Sequence, residues 1–166
     1  CIAYSGFTVA PLIIRILHKD KCKIRLLIAS DCVYPDSCRA RHKSRKSVAL
    51  DSIRIELDDL MEDDDKLKIS DKIEVREYSG YASLKGVCID DTWVSMGWYV
   101  FESDGANVVV RGHQKPLVHS SRPECGEMLD FFRGHFDAVW KRSRPLDVKL
   151  AQEASSEEPN QASPKE

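Results

Sequence analysis

Ser83-Leu84-Lys85-Gly86-Val87-Cys88-Ile89-Asp90-Asp91-Thr92-Trp93-Val94-Ser95-Met96-Gly97 reads as a strand, a tight turn at Asp90-Asp91-Thr92 and a second strand. An apolar strand, Lys72-Ile73-Glu74-Val75-Arg76-Glu77-Tyr78, precedes it. Further back, Lys23-Ile24-Arg25-Leu26-Leu27-Ile28-Ala29 is a nearly unbroken apolar run, the pattern of a central strand covered on both faces. Ile2-Ala3-Tyr4 reads as the end of a strand, and Val9, Leu12, Ile13, Ile16 and Leu17 then recur at helical spacing. Thr8 is placed as the N-cap of this helix and Pro11 in its first turn. Strand, helix and strand in this order predict a parallel βαβ unit, whose ligands gather beyond the carboxyl ends of the strands.

Within the hairpin, a lysine and an aspartate stand at a spacing that resembles the phospholipase D superfamily motif. That motif runs His, any residue, Lys, four residues, Asp, six residues, Gly-Ser, then Asn. Its lysine, aspartate and glycine fall on Lys85, Asp90 and Gly97, whereas its histidine falls on Ser83, its serine on Trp98 and its asparagine on Phe101. The resemblance implies a phospholipase D-like mixed sheet over residues 1–145, with Lys85 holding phosphate and Asp90 orienting that lysine. It also implies loss of catalysis. An imidazole suits the family's attack on phosphorus because its pKa lies near neutrality, and a serine without an adjacent base is a weak nucleophile. Trp98, where the family has a small hydroxyl, is expected to fill part of the site. Single-motif members build their site across a homodimer, so a homodimer is implied as well. The resemblance implies neither a cofactor nor a metal.

The stretch from Ser30 to Ser47 reads as a polar loop, with Arg39, Arg41, His42, Lys43, Arg45 and Lys46 crowded into eight positions. Arg41, Lys43 and Arg45 are candidates to grip phosphate by charge-assisted hydrogen bonds, and the loop is a candidate contact for nucleic acid. A helix follows from about Ser47 to Met61, with Leu50, Ile53, Leu57 and Leu60 on one stripe. Strands are expected at 72–78, 84–89, 92–101 and 106–111, with a hairpin turn at Asp104-Gly105. The last helix spans about Glu124 to Ser143 on a stripe of Met128, Leu129, Phe132, Phe136, Val139 and Trp140. Residues 146–166 are too poor in apolar side chains to pack and are expected to form a disordered acidic tail.

A formal net charge of −2 excludes any global attraction to nucleic acid or acidic membranes, so such a partner requires a local patch. No apolar run approaches the roughly 20 residues that span a bilayer. Six cysteines without Cys-x-x-Cys spacing are read as free thiols of a cytoplasmic protein. Cys32 and Cys38 have a disulfide, or a metal shared with His42, as their alternatives. Because the chain opens on Cys1 rather than Met, a preceding segment is expected.

These readings converge on an α/β domain that binds a nucleotide, nucleic acid or lipid head group in a regulatory or sensory role. The resemblance places it within a larger bacterial protein. One rival is a working phosphodiesterase, nuclease or phospholipase drawing a histidine from outside the motif, with His113 and His119 as candidates. Another is a protein-interaction module recruiting partners through its basic loop and acidic tail.

Overall fold

The computed structural model describes residues 2–3, 6–19, 22–63, 72–80, 84–104, 107–111, 117–123 and 126–146. Strand β1 (Ile2–Ala3), helix α1 (Ala10–Leu17) and strand β2 (Ile24–Ala29) form the first parallel βαβ unit. Two 3-10 turns, Asp31–Val33 and Asp36–Cys38, lead into the long helix α2 (Arg39–Asp63). It returns the chain to β3 (Ile73–Tyr78), parallel to β2 over six residue pairs.

The direction then reverses. Strand β4 (Leu84–Ile89) lies antiparallel to β1, and β5 (Trp93–Trp98) antiparallel to β4. Strands β6 (Val100–Asp104) and β7 (Asn107–Arg111) form a separate hairpin. Strand β8 (Val118–Ser121) rejoins the main sheet beside β5, and helix α3 (Gly126–Arg142) leads to the two-residue β9 (Arg144–Pro145) beside β3. The seven-stranded sheet has the order β8-β5-β4-β1-β2-β3-β9. The α/β architecture with a mixed, partly parallel sheet is therefore as the sequence implies.

The apolar run of β2 is divided between two cores. Leu26 and Ile28 pack with Ile13, Leu17, Leu50 and Ile53 under α1 and α2. Leu27 and Ala29 face Leu129, Phe132 and Phe136 of α3. A strand alternates its side chains, so only a strand covered on both faces buries four in succession. Across the sheet, Gly86 is fixed by contact rather than by backbone freedom. A Cβ there would lie 2.5 Å from the Ser95 carbonyl oxygen and 2.7 Å from the Phe132 ring.

Several boundaries differ from expectation. The basic stretch 39–46 is the first two turns of α2 rather than part of a loop, so that helix begins eight residues before Ser47. Thr8 does not cap α1: Val9 holds the N-cap position without a side-chain bond, and the Val9 and Ala10 amides both donate to the Gly6 carbonyl. The strand expected over 92–101 is interrupted at Tyr99, its two parts belonging to different sheets. Leu146, assigned to the tail, packs against the α1/α2 core and donates its N–H to the Val75 carbonyl at 2.9 Å. Residues 147–166, with the rest of the expected tail, lie outside the described residues.

Candidate functional site at the carboxyl edge of the parallel strands

Lys85 is the second residue of β4, and the strand register fixes its place. Ile2 pairs with Gly86 on one side and with Leu27 on the other. One step along, Lys85 lies beside Ala3, which pairs with Ile28, which pairs with Glu77. Gly97 faces Lys85 from β5, and Arg144 faces Glu77 from β9. A single row thus crosses the sheet from Gly97 through Lys85 to Arg144, one residue short of the carboxyl end of β2. Directly opposed residues share a face. Leu84 packs toward α3, so Lys85 belongs to the face that carries α1 and α2.

The ammonium of Lys85 sits 5.5 Å from the centroid of the Tyr99 ring, within cation–π range. Burial holds its pKa below the usual lysine range. Trp98 does not occupy this site, contrary to expectation. Its register partner is Leu84, which places it on the α3 face, and it is 46% exposed. Tyr99, which the motif spacing passes over, is the aromatic neighbour of the lysine.

On the same face and edge, α2 starts over the end of β3. Lys46 is buried there and bonds Asp31 at 3.0 Å and Glu77 more closely. Arg144 closes on the second oxygen of Glu77. Two cations meet two carboxylates, so the cluster is internally neutral and opposes no incoming anion. Lys46 is thereby committed to the fold. Arg45 lies over the Phe7 ring at 5.7 Å, and Arg39 is engaged by Asp36 at 2.6 Å. Arg41 and Lys43 are exposed. Burial, reinforced by the Arg45 and Arg41 charges, holds the His42 pKa below its ordinary 6.5. His42 also stacks on Tyr34 at 5.1 Å.

No protein-family model, curated protein or solved structure matches this chain.

The remaining candidates are dispersed. Asp90 cannot orient Lys85: it occupies the β4–β5 turn with φ 47°, and five residues of extended strand separate the two by about 16 Å. It instead borders a cleft of about 240 Å³ with Lys23, Arg25, Cys88 and Arg133, at the opposite edge of the sheet. His119 lies on β8 opposite Ser95 and stacks on Trp93 at 5.8 Å. It shares the Lys85 face, two strands across and two residues along, with about 12 Å between α-carbons. Ser83 and His113 lie outside the described residues.

Cys22, Cys32, Cys38 and Cys88 are free thiols. Cys32 donates to the Ser30 hydroxyl and Cys38 to the Pro35 carbonyl, so the two sulfurs have different partners. Among the described residues no group of His, Cys, Asp and Glu side chains is arranged to hold a metal ion, and no helix is long and apolar enough to cross a membrane.

Proposed function

We propose that this chain is a phospholipase D-like domain of the single-motif kind, with a site that has lost its nucleophile and retains a phosphate anchor. It binds a phosphate-containing ligand (nucleotide, nucleic acid or lipid head group) in a regulatory or sensory role, as a cytoplasmic homodimer. The observation that carries this reading is the position of Lys85. The lysine of the motif stands at the carboxyl edge of the parallel strands, on the face where the basic start of α2 also emerges. Ligands of open α/β sheets gather at that edge.

Lys85 supplies the charge, and Arg41 and Lys43, exposed on the first two turns of α2, and Arg45 beside Phe7 are the candidates to extend the anion site. Ser83, two residues before Lys85, has the motif position of the nucleophile without its chemistry. A second reading, an active phosphodiesterase, draws support from His119, which shares the Lys85 face.

Full-length protein titrated with a short single-stranded oligonucleotide and with phosphatidic acid vesicles, alongside hydrolysis of bis(p-nitrophenyl) phosphate, separates the two. The expected result is binding without turnover. Lys85→Ala weakens binding by about 1.5–3 kcal/mol, the worth of a hydrogen bond to a charged group, and Ser83→Ala changes little. Turnover abolished by His119→Ala establishes the active reading instead. Equal affinity in wild type and Lys85→Ala removes the phosphate anchor altogether.

A further inference from the structure

Helix α2 is apolar on two sides. One side buries Ala49, Leu50, Ile53 and Leu57 against the sheet and α1. On the opposite side Val48 is 49% exposed and Ile55 53% exposed. They stand seven positions apart, so they lie two turns from each other on one line of the helix. Phe7, whose ring lies under Arg45, and Leu12 of the adjoining α1 are exposed as well. Four of the eight large apolar side chains exposed among the described residues therefore gather on the outer side of these two helices. Apolar side chains grouped in this way within a charged rim mark an interaction surface.

The charges on the same line identify the partner. Arg41, Arg45, Val48, Ser52, Ile55 and Asp59 follow one another at alternating intervals of four and three residues, the repeat of a single helix stripe. The stripe is basic at its start and acidic at its end. Arg41 and Asp59 are both exposed, yet about 27 Å of helix separates them, so they cannot pair within one chain.

Turned end for end, the stripe matches itself. In an antiparallel pair with a two-fold axis level with Leu50, Arg41 of one copy meets Asp59 of the other. Arg45 then meets Ile55 and Val48 meets Ser52, and each contact occurs twice. The aliphatic stem of Arg45 covers Ile55 while its charged head stays in water. Self-matching of this kind is what an isologous contact requires.

We propose that the chain forms a two-fold symmetric homodimer in which α2 packs antiparallel on α2 of a second copy through this stripe. The contact gives a surface to the homodimer of the reading above and rests on that part of it alone, since the phosphate anchor takes no part. Arg41 and Arg45 are thereby engaged by the second copy, which leaves Lys85 and Lys43 to the anion site.

Sedimentation equilibrium of the full chain without ligand tests the contact. The wild type is expected at twice the chain mass at micromolar concentration. Arg41→Asp and Asp59→Arg each turn two opposite-charge contacts into like-charge ones, and each is expected to weaken the dimer at least about tenfold. Either new charge suits the helix dipole at its own end of α2, so neither substitution is expected to disturb the fold. When the two weakened proteins are mixed, a dimer is expected to return, because every new charge then faces its opposite; a folding defect cannot produce that recovery. Val48→Glu brings carboxylates toward the axis and yields a monomer. Lys85→Ala remains dimeric, so loss of oligonucleotide binding and loss of the dimer are read separately. The proposal is overturned by a wild-type monomer at these concentrations, which would leave the face to a different protein. A dimer that survives Val48→Glu, or a mixture of the two charge variants that shows no recovery, overturns it equally.

Discussion

Lys46 and Glu77 form a buried ion pair that joins the second turn of α2 to the carboxyl end of β3, 31 residues further along the chain. Glu77 has a side chain only 4% exposed and Lys46 one only 9% exposed, so each depends on the other for the solvation it has lost. Lys46→Met leaves Glu77 with the exposed Arg144 alone. Breaking a buried pair in this way is expected to cost about 3–5 kcal/mol. The double variant Lys46→Met, Glu77→Gln is expected to lose less than the two single losses summed, because neither charge is then stranded. Urea unfolding of the four proteins checks this, and simple additivity would mean the pair is not coupled.

Gly86 tests the sheet register. With a Cβ placed 2.5 Å from the Ser95 oxygen and 2.7 Å from the Phe132 ring, Gly86→Ala has to push β5 or α3 aside. Overpacking of this kind is expected to destabilise by about 1–3 kcal/mol. An unchanged unfolding midpoint would show that β4 does not sit between β5 and Phe132 as described.

How much of this fold was legible depended on whether a residue's partner was near in sequence. The apolar run of β2 disclosed a doubly covered strand, because alternation forces one burial onto each face. The start of α2 was hidden, since Arg39 to Lys46 carry the composition of a solvated loop. The residue that draws this segment onto the sheet, Glu77, belongs to a different strand. Strand β9 was illegible for a similar reason: Pro145 reads as a stop, and its two residues become a strand only by pairing with Arg76 and Glu77. At the candidate site, spacing alone selected Lys85 and Gly97, and the register brings them opposite each other. It also selected Asp90, which strand geometry carries to the far edge, and passed over Tyr99, whose ring lies beside Lys85.

His42 is expected to make the protein acid-sensitive. Burial and the Arg45 and Arg41 charges depress its folded-state pKa below 6.5. Between those two values the unfolded chain binds the extra proton, so stability falls as pH drops below 6.5 and levels off beneath the folded pKa. His42→Asn is expected to flatten that acid-side slope. Unfolding midpoints measured from pH 8 to about 5 in both proteins test the assignment; identical slopes would exclude His42 as the titrating group.

Lys85, the proposed phosphate anchor, can be tested against the alternative that its charge serves the fold, as that of Lys46 does. Burial lowers its folded pKa below 10.5, so carrying the charge at neutral pH costs the native state stability. That cost is relieved as pH rises through the folded pKa toward 10.5, the range in which the unfolded chain holds more protons. Lys85→Met keeps an apolar chain against Tyr99 and removes the charge. The variant is therefore expected to be at least as stable as wild type at pH 7, with any advantage shrinking as the alkaline range is approached. It is also expected to lose phosphate affinity, and wild-type affinity should itself decline at a lower pH than an ordinary lysine would allow. Urea midpoints and oligonucleotide titrations on the two proteins at pH 7, 8 and 9 read both quantities. A clear loss of stability in Lys85→Met at pH 7 would show that the charge supports the sheet, because a residue held in readiness for an anion should be dispensable to folding.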